Sequence, residues 1–158
     1  MKKMAIIYYS RSGSTEKMAH YIAEGARAED DIEVDVINIE GLSPKKALDY
    51  DGIVIGSPTY YGTMAGEVKT FLDATVAFHG KLDGKVGAAF SSAANIGGGT
   101  ETTITDILHA MLVHGMVVQG NPEGGHYGPA SIGSPDVRVK KQCNSLGKRV
   151  AVLIKKMA

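Results

Sequence analysis

The chain has 158 residues, 44% of them apolar and 22% charged, which is the balance of a globular protein with a real core. Seventeen lysines and arginines offset seventeen acids, and this zero formal charge excludes a bulk electrostatic attraction to nucleic acid or to an anionic membrane. A single cysteine, Cys143, excludes an internal disulfide, no Cys/His spacing suits a metal, and a reducing, cytoplasmic location is expected. Met4 to Tyr9 is a continuous apolar, β-forming run, read as a strand buried on both faces. It stops at Ser10, too soon for a signal-peptide core or a membrane span. A helix follows Thr15, with Met18, Ala19, Ile22, Ala23 and Ala26 on one face. Ile32 to Val36 alternates apolar and charged residues, as an edge strand with one wet face would.

Ser43-Pro44 opens a short helical turn through Leu48, and Gly52 to Gly56 is a second buried strand. Gly66 to Val76 reads as a helix with Val68, Phe71 and Leu72 inward. Val86 to Phe90 is a strand of small residues that lets helices approach closely, and Thr100 to His114 is a helix carrying Ile104, Ile107, Leu108, Met111 and Leu112. Met116 to Val118 is the last strand, and Asn121 to Gly133 reads as loop. Ser134-Pro135-Asp136 has the chemistry of a helix start, with Ser134 as N-cap. The stripe Val139, Cys143, Leu146, Val150, Leu153, Met157 then marks one face of a long helix. Strands alternate with helices throughout 1–158, with no repeat or linker. The expectation is one α/β domain: a five-stranded parallel sheet of order 2-1-3-4-5 with helices on both faces, a three-layer sandwich.

In such a sheet ligands bind beyond the carboxyl ends of the strands, where the strand order reverses. Three loops should meet there. Ser10, Arg11, Ser12, Gly13, Ser14 and Thr15 precede a helix, whose outward N–H groups and dipole favour an anion; hydroxyls add donors and Gly13 lets the backbone curl inward. This loop can cradle a phosphate, or simply cap its helix. It matches neither the G-x-G-x-x-G fingerprint nor the P-loop, and it holds no nucleophilic cysteine. Ser57, Pro58, Thr59, Tyr60, Tyr61 and Gly62 put two aromatics at the mouth of the sheet, fit to wall a flat ring or to cover the next helix. Ser91 to Gly99, with Ser92, Ala93, Ala94, Asn95, Ile96, Gly97 and Gly98, is small and glycine-rich, so that backbone can lie close to a ligand.

Taken together, Tyr8 to Thr15, Gly56-Ser57-Pro58-Thr59-Tyr60-Tyr61-Gly62, Phe71-Leu72-Asp73, Phe90-Ser91-Ser92 with Gly97-Gly98-Gly99, His114-Gly115-Met116 and Gly124-Gly125-His126-Tyr127-Gly128 resemble the WrbA family of flavodoxin-like proteins. The resemblance implies a flavodoxin-like fold with FMN as cofactor. It also implies NAD(P)H:quinone oxidoreductase activity, with NADH or NADPH as donor, a quinone as acceptor and a dimer or tetramer as the assembly. By position, Ser10 to Thr15 would hold the phosphate, Pro58, Thr59, Tyr60 and Ser92 to Gly98 would line the ring, and His114 would reach its pyrimidine edge. Read from the residues alone, the alternative for His114 is a capping or core histidine at a helix end. Tyr60, Phe78 and Tyr127 are candidate walls for the quinone. Because flavin carries the chemistry, no catalytic acid, base or nucleophile is assigned. The first loop resembles the phosphate loop of flavodoxins more than that of WrbA, and Tyr60 stands where WrbA proteins commonly have arginine. The alternative is a flavodoxin that carries electrons to protein partners.

Overall fold

The computed structural model describes residues 1–157, so Ala158 of the expected 1–158 domain lies outside the described residues. Its strands are β1 (Lys2–Tyr8), β2 (Ile32–Asn38), β3 (Gly52–Tyr60), β4 (Thr63–Met64), β5 (Val86–Ala93), β6 (Val117–Val118) and β7 (Ala130–Ile132). The helices are α1 (Ser14–Ala26), α2 (Gly66–Ala74), α3 (Thr100–Val113) and α4 (Val137–Lys156), with 3-10 turns at Pro44–Asp49 and Thr75–Phe78. The sheet runs β2-β1-β3-β5-β6 with parallel neighbours. This is the expected 2-1-3-4-5 order, because β4 is only the return arm of an antiparallel hairpin on β3. The alternating strand Ile32–Asn38 does close one edge.

Alternation along the central strands divides the core between the two faces. Ala5, Ile7, Ile53, Ile55 and Ala89 pack with Val68, Phe71, Ile104, Ile107 and Met111 of α2 and α3. Met4, Ile6, Val54, Ala88 and Phe90 pack with Met18, Ile22, Val139, Cys143, Val150 and Ile154 of α1 and α4. Each fully buried large apolar side chain contributes roughly 1.5–3 kcal/mol against the chain entropy. α1 and α4 pack backbone to backbone: a Cβ on Gly147 would lie 1.9 Å from the Ile22 carbonyl oxygen, and one on Gly25 2.0 Å from that of Asn144.

Several boundaries differ from the sequence reading. β3 runs on from Gly56 to Tyr60, because Thr59 and Tyr60 pair with Met64 and Thr63 across a turn. β5 likewise continues through Ala93, where β7 pairs beside it, so the stretch read as loop to Gly133 contains a strand. α4 starts at Val137 and not at Ser134: the Asp136 carboxylate accepts the Val139 N–H at 2.8 Å and is the N-cap, leaving Pro135 outside the helix. On α4 the fully packed face is Val139, Cys143, Gly147, Val150, Ala151 and Ile154, while Leu146 and Leu153 are only half-buried and Met157 is exposed. Of the apolar residues carried by α3, Leu112 is exposed near its end.

Candidate functional site

Beyond the carboxyl ends of β1, β3 and β5 lies a cavity of about 280 Å³ lined by Ser10, Arg11, Ser12, Ser14, Thr15, Pro58, Thr59, Tyr60, Ser92, Ala93, Ala94 and Gly133. All three loops singled out in the sequence converge on it. Hydroxyl pairs lace them together: Thr15 Oγ1 meets Ser92 Oγ at 2.9 Å, Thr59 Oγ1 meets Ser91 Oγ at 2.9 Å, and Thr103 of α3 donates to Thr59 at 3.1 Å. At the rim, a Cβ on Gly99 would lie 2.7 Å from Gly62 Cα, so the second and third loops touch.

The first loop is built as a donor cradle. Gly13 takes a left-handed φ of 98°, as the N-cap of α1, which turns the chain into the helix. Its own amide donates to Ser10 Oγ at 3.1 Å, holding the loop closed. The amides of Arg11, Ser12, Ser14, Thr15 and Glu16 donate to no acceptor among the described residues. They add to the helix dipole in favouring an anion, and Arg11 is the one cation lining the cavity. Two of the four loop hydroxyls, Ser10 and Thr15, are already engaged in holding the loop, which leaves Ser12 and Ser14 to a ligand. These residues fit a phosphate monoester.

The second loop is a hairpin. Tyr61 (φ 48°) and Gly62 (φ 82°) occupy its two-residue turn, both left-handed. A tyrosine held there is strained, and its ring is fully exposed. Tyr60 lines the cavity and is half-buried, its ring edge-on to Tyr9 with centroids 6.4 Å apart. Its hydroxyl is buried without a partner among the described residues. Ser57 is wholly buried; its hydroxyl accepts the Ala65 N–H at 2.9 Å and anchors the hairpin. Asn95, Ile96, Gly97 and Gly98 stand exposed at the rim, where the Gly98 amide donates to the Asn95 carbonyl at 3.1 Å and closes a turn. Below the crevice the Tyr8 hydroxyl donates to Glu16 at 2.9 Å; burial, then that bond, pushes its pKa up to about 12.

His114 is not part of this crevice. It caps the C-terminus of α3 at the opposite end of the sheet, 8% exposed, with Nε2 2.6 Å from Thr75 Oγ1 and its ring stacked on Phe78. The reason is topological: the residue after α3 and before β6 must lie at the amino ends of the strands, whereas ligands sit at the carboxyl ends. Phe78 is buried there with it, so it walls no ligand site in the crevice. Tyr127 is exposed on the loop before β7, away from the lining. Gly133 was missed. It is brought in by β7, through its N–H to the Ala93 carbonyl at 2.8 Å.

Comparison with known proteins follows the same lines. The family model described as a flavodoxin domain matches residues 5–103, a span that includes all three loops. The chain belongs to the flavodoxin family. It is 34% identical to a flavodoxin of Clostridium saccharobutylicum, over 98% of this chain and 99% of that one, and 35% identical to a flavodoxin of Aquifex aeolicus (strain VF5), over 96% and 86%. Among solved structures it is similar to a flavodoxin, WrbA-like protein from Agrobacterium tumefaciens, with a TM-score of 0.85 and 25% identity over the whole of both chains. Family membership supports FMN as the cofactor and the α/β architecture already described. No described helix is long and apolar enough to cross a membrane.

Proposed function

We propose that the crevice binds FMN and that the protein carries electrons between protein partners, as an electron-transfer flavodoxin. The observation that carries this reading is the cradle of unpaired amides around Gly13, set at the foot of a preformed cavity in a flavodoxin-family chain. Bound FMN would supply one- and two-electron transfer at its ring. Arg11, Ser12, Ser14 and Thr15 would hold the phosphate through backbone N–H groups, with the Ser12 and Ser14 hydroxyls and the Arg11 guanidinium added. Pro58, Thr59 and Tyr60 on one side and Ser92, Ala93 and Ala94 on the other would flank the ring and exclude water from it. Tyr61, Gly62 and Asn95 to Gly98 would frame its outer edge.

The zero net charge is compatible with docking to redox partners because it is unevenly distributed. Seven of the seventeen cations lie in α4, which has no acid, so the remainder of the chain is net acidic. Glu16, Glu67 and Glu101 sit in the first turns of α1, α2 and α3, which all begin at the crevice end of the sheet. An acidic mouth steers a basic partner towards it. The narrower reading, an NAD(P)H:quinone oxidoreductase of the WrbA type, rests on the likeness to the Agrobacterium tumefaciens protein over the full length of both chains. Stopped-flow mixing of the FMN-loaded protein with NADH or NADPH and a quinone separates the two. No nicotinamide oxidation supports the carrier; rapid turnover establishes the reductase. A protein that stays colourless after incubation with FMN overturns both.

A further inference from the structure

We propose that the outer face of α4 is a docking surface for an acidic protein segment, separate from the mouth of the crevice. The helix carries Arg138, Lys140, Lys141, Lys148, Arg149, Lys155 and Lys156 and no acidic residue. On the side towards α1 these charges are neutralised: Lys140 pairs with Glu24 at 3.4 Å, and Lys148 and Lys155 pair with Glu29 at 3.8 and 2.8 Å. On the other side they are not. Arg138, Arg149 and Lys156 form no ion pair among the described residues, and neither does Lys141, which lies nearer the α1 side.

At about 100° per residue, Arg138, Arg149 and Lys156 fall within roughly 20° of one line along the helix. At about 1.5 Å per residue that line is roughly 27 Å long. Arg149 is held in place by donating to the Gly120 carbonyl, and Arg138 by donating to Gln142 at 3.0 Å, so both guanidinium groups are positioned without being neutralised. Asp136, the nearest acid on the segment, is committed to its N-cap bond.

The chemistry of the surface points to protein rather than to a polyphosphate or a lipid surface. Between the cations lies a hollow of about 270 Å³ lined by Gln119, Lys148, Arg149, Val152, Leu153 and Lys156, with apolar side chains in its floor. A segment with carboxylates flanking an apolar side chain matches this alternation; a phosphate backbone leaves the apolar floor uncovered. The apolar face of α4 is buried in the core, so the helix has none to insert into a bilayer. The proposal does not depend on what the crevice binds.

The test uses the full-length protein, with and without added FMN, and a fluorescein-labelled peptide of alternating glutamate and leucine, followed by anisotropy. Binding should weaken steeply with salt and drop at least about tenfold in Lys156→Glu and in Arg149→Gln/Lys156→Glu, roughly 1.4 kcal/mol. Lys45→Glu, on the other side of the sheet, should leave it unchanged. Lys156 is exposed in the last turn, so its variant keeps the fold, as a thermal melt will verify. Equal binding of the matching glutamine–leucine peptide overturns the proposal, and so does affinity unaltered in the variants. Binding of duplex DNA or of phosphatidylserine vesicles in place of the peptide also overturns it. Peptide binding that survives without FMN, in a protein that takes up no flavin, upholds this surface while refuting the cofactor reading.

Discussion

Replacing Gly147 by alanine tests the close seating of α4 on α1. The new methyl carbon would stand 1.9 Å from the Ile22 carbonyl oxygen and 2.8 Å from the Ala26 nitrogen, backbone atoms that no rotamer change can move. A relaxed C···O contact needs about 3.3 Å, so the helices must separate by roughly 1.4 Å. That loosens the packing of Ile22, Cys143 and Val150 between them. Overpacking of this kind costs about 1–3 kcal/mol, and here the upper end applies because backbone must yield. Alanine returns about 1 kcal/mol through helix propensity, which leaves a net loss of about 2 kcal/mol. For a chain of this size that lowers Tm by roughly 4–8 °C. Thermal unfolding by circular dichroism measures it, with Gly66→Ala as the control: Gly66 opens α2 with no atom within 4 Å of its Cβ position and should leave Tm unchanged or raise it slightly. Gly25→Ala should behave like Gly147→Ala, and the double variant should cost less than the two singles together, since one separation relieves both contacts. A Gly147→Ala protein as stable as the parent would refute the backbone-to-backbone seating.

Thr15→Ala removes one half of a buried hydroxyl pair and strands Ser92 Oγ; it should cost about 1 kcal/mol of stability and weaken FMN binding, read by flavin fluorescence quenching. Gly13→Ala has open space for its methyl group but not for its φ of 98°, so it should weaken FMN binding severalfold through a distorted cradle and cost about 1–2 kcal/mol. His114→Gln should leave FMN affinity unchanged, because the ring lies at the other end of the sheet. The same variant tests a pH dependence: burial first, then the nearby His79, hold His114 below its ordinary pKa. The unfolded chain takes up that proton near pH ~6.5 and the native one resists, so this contribution to stability is complete above about 6.5 and is lost as pH falls below it. Tm measured from about pH 7 down to about pH 5 should fall less steeply in His114→Gln than in the parent.

Much of the architecture was legible because single residues carried it. The unbroken apolar runs Met4 to Tyr9 and Gly52 to Gly56 could only be central strands, and the wet alternation of Ile32 to Val36 could only be an edge. The turn of the first loop into the crevice was legible in Gly13, whose left-handed entry into α1 is local chemistry. What was not legible depends on tertiary pairing. β3 and β5 outrun their apolar stretches because Thr59 finds Met64 and Ser92 finds Ser131 across the sheet. Ser10 and Thr15 looked like ligand donors but are absorbed by the loop and by Ser92. The histidine after α3 was attractive by resemblance, yet chain direction alone sends it away from the crevice. Asp136, two residues past the serine that looked like the cap, takes the role because its carboxylate reaches the Val139 amide.

The chain of hydroxyls from Thr15 through Ser92, and from Ser91 through Thr59 to Thr103, spans four elements, α1, β5, β3 and α3. Loops latched to one another cannot open singly, so a visiting molecule finds its seat already shaped and loses little to ordering the protein on arrival. Exchange would then be limited by how fast the occupant leaves, and not by a slow rearrangement of an empty site.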